Sequence, residues 1–238
     1  CPAQLCGGKE TTVADFKTVG TSPADVVASG GVAIPRTSVL QNLITSDEEL
    51  LWNIQGRIFM ATSGTLTTPE TVTATALVRQ QPQIYVRVPA GSVIIPLMAL
   101  VAFEATGAAV LEILVSGYNN DIGVSNSTAA TSVCTNSRYG LKTGVGLARA
   151  TVTGNTGTAG TGVSDLYRVY QQVDNDAITG APTPPHIYQP SRGLGQRAVI
   201  GGADTVHTWA VHLANGTSST AFVIATWAEF TYAEIYGS

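Results

Sequence analysis

Residues 1–45 show no sustained apolar period. Within them, TTVADFKTVGTSPADVVASGGVAIPRTSVL contains Gly30, Gly31 and Pro35, which forbid a long helix, so the stretch reads as an extended N-terminal arm. TSDEELLWNI follows, with Ser46 placed to cap a turn of helix and Glu49 three residues on as its capping-box partner. The acidic trio Asp47, Glu48 and Glu49 suits the positive end of a helix dipole and is read as a helix start, not as a catalytic cluster. Beyond it the pattern is that of strands.

GRIFMATSGTLTT and TVTATALVRQ are strand-length runs rich in Thr and Val, with Gly64 and Pro69 between them. The most apolar segment, Ile84–Gly117, is divided by Pro89, Gly91, Pro96 and Gly107. Three strands result: QIYVRV, VIIPLMALVAFEA and GAAVLEILVSG. The short connections between them predict antiparallel neighbours in a meander. Pro96 has no N–H for a ladder, which places it at a bulge, a bend or an edge. From Val93 to Phe103 both alternating sets of residues are apolar. One face is therefore expected on a sandwich core and the other against a helix, a loop or another subunit.

Residues 117–164 read as low-complexity loops rich in Gly, Thr, Ser and Asn. LYRVYQQVD resumes strand character, and GAPTPPHIYQPSRGLGQ is a Pro-rich connection. HTWAVHL and STAFVIATWAEFTYAEI then flank ANGTS, whose Asn215-Gly216 pair signals the tight turn of a final hairpin. The sum is about eight main strands, a two-sheet number. The expected fold is all-β: an antiparallel two-sheet sandwich over residues 46–238 as a single domain, with long Gly/Thr/Ser-rich loops, preceded by the arm.

Composition sharpens this picture. Hydrophobic residues make up 44% of the chain and charged residues only 12%, about half the usual share. A surface of Thr, Ser, Ala, Asn and Gly loses little hydration when another chain covers it, which favours a subunit over a lone monomer. The net charge is −4, and the first forty residues hold only Lys9, Lys17 and Arg36 as cations. Direct contact with nucleic acid is not expected without a cluster of cations. No apolar stretch reaches membrane-spanning length uninterrupted by Pro or Gly, so a soluble chain with no membrane span is expected.

Candidate chemistry is sparse. Cys1, Cys6 and Cys134 form no CxxC pair and have no nearby His, which argues against zinc; Cys1–Cys6 and Cys6–Cys134 disulfides both stay open. Cys1 admits three readings: it follows a removed initiator Met, begins a fragment, or is the acylated Cys of a lipoprotein. His207 and His212 lie five apart in a strand and point to opposite faces, so they cannot share a metal; each reads as a strand-surface or loop residue. His186 sits in the Pro-rich connection, no G-x-S-x-G elbow exists, and GLGQRAVIGG reads as a loop. Asp174 and Asp176 in DNDAITG are placed for either a Ca²⁺ ligand pair or a self-bonded turn, and the turn is preferred. Glu104 and Glu112 flank a short turn and read as solvated ends, not as a glycosidase pair. Trp209 and Trp227 lie in apolar strands and read as core. A sugar site would instead draw on Tyr118, Tyr139 and Tyr188 on loops. The sequons at Asn126 and Asn215 matter only in a secretory pathway. No catalytic, cofactor or metal residue is assigned, and no enzyme is expected.

IYVRVPAGSVIIPLMALVAFEATGAAVLEIL carries the pattern Val-Pro-x-Gly-x-x-Ile-Ile-Pro-Leu followed by a strand with Glu after an aromatic, and STAFVIATWAEFTY adds a late Trp-Ala-Glu strand. These stretches resemble virion proteins of environmental bacteriophages. The resemblance implies a jelly-roll-like sandwich in a particle, as a capsid shell or decoration subunit whose partners are copies of itself and other virion proteins. The alternative is a carbohydrate-binding or adhesive module on a phage tail or cell surface, with a glycan as its ligand.

Overall fold

A computed structural model of the protein describes residues 48–63, 68–72, 76–106, 110–123, 128–130, 133–136, 144–150, 160–172, 185–190, 197–215 and 219–237. The chain divides into two units, Cys1–Leu51 and Trp52–Ser238. The expected arm, the Ser46 cap, Cys1, Cys6, Tyr139, Asn126 and the Asp174/Asp176 pair lie outside the described residues.

EELLWNI does form a helix, α1 (Glu48–Ile54). The rest is mostly β. One antiparallel sheet contains seven strands: β1 (Ile58–Ser63), β2 (Glu70–Val72), β4 (Ser92–Thr106), β7 (Val133–Cys134), β10 (His186–Tyr188), β11 (Ile200–Gly202) and β13 (Ser219–Thr231). A second contains six: β3 (Ile84–Val88), β5 (Val110–Tyr118), β6 (Thr128–Ala129), β8 (Leu147–Ala150), β9 (Ser164–Gln172) and β12 (His207–Asn215). The first runs β10-β4-β13-β1-β7, with β11 also beside β4 and β2 also beside β13; the second runs β6-β8-β3-β12-β5-β9. A short helix, α2 (Tyr232–Tyr236), follows β13 and starts with a capping box between Thr231 and Glu234.

The expected meander and final hairpin are not there. β3 and β4 belong to different sheets, as do β4 and β5, and β12 and β13. Each of these connections is three residues long: 89–91, 107–109 and 216–218. Three residues can close a hairpin, but the same chain length, at roughly 3.3 Å per residue, also spans the ~10 Å between packed sheets. Loop length alone did not distinguish the two. Long-range pairing replaces the meander: β4 lies along β13 from Ser92 opposite Thr231 to Thr106 opposite Ser219, and β12 lies between β3 and β5.

Residues 117–164 are not all loop, since β6, β7 and β8 fall there. The Pro-rich connection contains β10, and the end of GLGQRAVIGG is β11. Gly201 explains that last sequence: a Cβ there would lie 2.2 Å from the Ser92 carbonyl oxygen, and its φ of +149° favours glycine.

The core lies between the sheets. Phe59, Val101, Val223 and Trp227 come from one side and Val86, Ile113, Trp209 and Leu213 from the other. Trp209 and Trp227 meet edge to face at 6.4 Å across the core, as their apolar strands implied. Cys134 is a free thiol, 4% exposed, within this core.

Candidate functional site

The outer face of the six-stranded sheet carries the polar chemistry. Arg79 holds Asp165 through two bonds of 2.8 and 2.9 Å, and the Ser116 hydroxyl donates to Asp165 at 2.9 Å. The Arg79 guanidinium keeps the Asp165 carboxyl below its usual range. Beside them the Tyr118 hydroxyl lies 2.8 Å from His212 Nε2. His212 is only 1% exposed, which corrects its reading as a strand-surface or loop residue. Burial, with the Arg79 charge adding to it, pushes its pKa down to about 3 and keeps the ring neutral. His207 and His212 do sit on opposite faces of β12.

A Ser, an Asp and a His thus converge, but not as a hydrolytic set. Ser116 is bonded to a carboxylate whose basicity is lowered, and His212 faces a tyrosine. Buried at 0% exposure, Ser116 has no path to a substrate. The group fastens Arg79 and its segment over the sheet. Further outward charges lie on the same face: Arg168 bonds Glu112, and Arg87 bonds Asp121 at 2.5 Å.

Glu112 is therefore an ion-paired strand residue and not a solvated end, and it cannot face Glu104 because β4 and β5 lie in different sheets. Glu104 is exposed at a bulge in β4. Of the tyrosines expected to display a sugar platform, Tyr118 is 1% and Tyr188 7% exposed, so neither offers one. Both point into packed surroundings because strand ends, not loops, hold them. Among the described residues the open aromatics are Tyr170 on β9, 67% exposed, and Tyr236 on α2. A cleft of about 310 Å³ opens where β5 ends and β9, β11 and β12 approach, lined in part by Asn119, Ser164, Ile200 and His207. No group of three or more His, Cys, Asp or Glu able to hold a metal occurs among the described residues.

One buried carboxylate has a clear structural task. Glu229 accepts from Trp227 Nε1 at 2.9 Å, from the Val145 N–H at 2.7 Å and from the Gly146 N–H at 2.9 Å. It fastens the end of β13 to the loop that enters β8 in the other sheet. The Trp-Ala-Glu pattern in the sequence is this clasp.

The outer face of the seven-stranded sheet is chemically different. Near α1 it is covered by a small cluster of Trp52, Ile58, Ile95, Leu97 and Ala228, with Phe230 against it. Next to Pro96 the register with β13 slips, and Leu97 is the extra residue, so the bulge falls where the imino acid places it. Beyond the slip, Met98, Leu100 and Ala102 turn outward opposite Thr226, Ile224 and Phe222. Met60 and Thr62 continue these rows on one side and Ile187 on the other. All of these side chains are partly or well exposed. The second apolar face of Val93–Phe103 is thus covered over its first part and open over the rest.

Comparison with known proteins returns no matching family model, no matching curated protein and no matching solved structure.

Proposed function

We propose that the chain is a structural subunit of a virion, a capsid shell or capsid decoration protein that works by self-association and performs no catalysis. The observation that carries this reading is the interleaving of the strands. Counting β10 and β11 as one edge, the eight main strands are β1, β3, β4, β5, β9, β10/β11, β12 and β13. In chain order they stand one-eight-three-six in one sheet and two-seven-four-five in the other. Such wrapping supports a jelly-roll-like sandwich, an architecture used by capsid proteins and also by lectins and cupins. Fold alone does not choose among these. The low charge favours the subunit reading, since a chain with only 12% charged residues offers surface suited to burial against many neighbours. The N-terminal arm would lie across a neighbour, and with a net charge of −4 genome contact is left to other proteins.

The alternative, a glycan-binding or adhesive module, rests on Tyr170 and Tyr236, the exposed aromatics among the described residues. The mass of the purified protein, measured by light scattering and followed by negative-stain imaging, separates the two. Rings, trimers or shells are expected, and loss of residues 1–40 should impair them while the sandwich stays folded. A monomer at every concentration and salt would overturn the assembly reading and send the question to a glycan screen.

A further inference from the structure

We infer that the open outer face of the seven-stranded sheet is the docking surface for a second copy of this chain, packed sheet against sheet. The inference rests on the assembly reading above and gives it an address.

Four strands build the face. Ile187, Leu100, Ile224 and Thr62 form one row across it, and Met98, Thr226 and Met60 form the next. Ala102 and Phe222 complete it. The chain has two methionines, and both stand here, linked through Thr226. Among the described outward positions of β1, β4, β10 and β13, Glu104 alone is charged. Identical copies of an acidic protein repel wherever like charges meet, and on this face almost none do. The opposite sheet presents Arg79, Asp165, Arg87, Asp121, Arg168 and Glu112, which would each lose hydration under a partner.

Glu104 marks one end of the face; at the other, Arg57 lies 5.0 Å over the Phe230 ring and is already paired with Glu234 at 2.7 Å. A two-fold axis lying in the interface and across the strands keeps the Glu104 carboxylates of the two copies apart, at opposite ends of the contact. Area fixes the strength. With strands ~4.8 Å apart and same-face side chains ~6.8 Å apart, the nine positions cover roughly 300 Å² per copy. The pair buries about 600 Å², less than the ~1,200 Å² of a stable complex, so the contact is weak alone and needs repetition in a closed assembly.

The test uses the full chain. Brief peroxide treatment followed by mass spectrometry reads Met60 and Met98 in dilute and in assembled protein, and Leu100→Glu is assayed for assembly by light scattering. Both methionines are expected to oxidise roughly tenfold more slowly in the assembly, and Leu100→Glu is expected to fold, by circular dichroism, yet stay dissociated. If wild type assembles with no change in methionine oxidation, the face is not the contact, although the assembly reading stands. If the methionines are already protected in dilute monomer, the chain covers its own face and the inference fails. Protection that appears only on adding another virion protein replaces the second copy with that partner. A wild type that never assembles removes the function reading and the inference together. Should Leu100→Glu not fold, the wild-type oxidation rates decide alone.

Discussion

Replacing Glu229 with alanine takes away the acceptor for three N–H groups at once. Trp227 Nε1 and the Gly146 N–H lie at the closed side of the clasp, while Val145 is 50% exposed. A hydrogen bond to a charged group contributes ~1.5–3 kcal/mol, and a buried donor left without a partner costs a similar amount. Water can reach the Val145 N–H, so about two of the three losses count in full. A total of ~3–5 kcal/mol is expected for Glu229→Ala. Glu229→Gln keeps one oxygen, which can serve both Trp227 and Gly146, and turns its amide donor toward Val145; about 1–2 kcal/mol is expected. At about 2–4 °C per kcal/mol for a domain of this size, the alanine variant should melt on the order of 10 °C lower. Urea unfolding followed by Trp fluorescence measures both variants, and Trp227→Phe in each background isolates the indole bond. A loss below about 1 kcal/mol for Glu229→Ala, or equal losses for Ala and Gln, would refute the clasp as drawn.

Two further outcomes follow from single residues. His212 is held neutral down to about 3 in the fold, whereas the unfolded imidazole takes its proton near 6.5. The unfolded state therefore binds more protons in that window, and stability should fall as pH drops from 6.5, by up to ~1.4 kcal/mol per unit. Burial lowers His186 in the same sense, so His212→Gln should flatten the slope of urea midpoint against pH between 6.5 and 5 without abolishing it; an unchanged slope would count against the buried neutral ring. Gly201→Ala forces a methyl to 2.2 Å from the Ser92 carbonyl oxygen and 2.7 Å from the Val93 Cα at a φ of +149°; a loss of ~2–5 kcal/mol, or release of β11 seen by hydrogen exchange, is expected, and wild-type protection of Ile200 would contradict it.

How much of this was legible in the chain depends on the range of the interaction. The helix at EELLWNI, the Pro96 bulge and the core positions of Trp209 and Trp227 are local matters of propensity, a missing N–H and strand periodicity, and all are where the pattern puts them. Sheet membership is not local. β4 runs along β13 and β3 beside β12, each more than a hundred residues away, and a three-residue connection fits either a hairpin or a crossing between sheets. The same holds for the polar group around Arg79, whose members are spread from Arg79 to His212, and for Glu229, two of whose three partners are backbone N–H groups that no residue type announces. Val93–Phe103 showed that a second apolar face exists, but the slip at Leu97 decides which part of it is covered.

That slip also sets the two outer faces apart in chemical character. If β4 kept its alternation through Leu97, then Met98, Leu100 and Ala102 would point into the core, and Ala99, Val101 and Phe103 would point out. The bulge lets the first part of the strand seat Ile95 and Leu97 beneath Trp52 while the second part presents a flat apolar surface in register with β13. On the other side of the sandwich three ion pairs stand among the outward positions, beside the small cluster of Tyr85, Tyr118, Ile122 and Ala210, and a partner there would have to match each pair or leave charges buried. Hydration is therefore strong on one face and weak on the other. An identical copy brings the same choice with it, so contact between the two weakly hydrated faces removes the most apolar surface for the least loss of charge solvation.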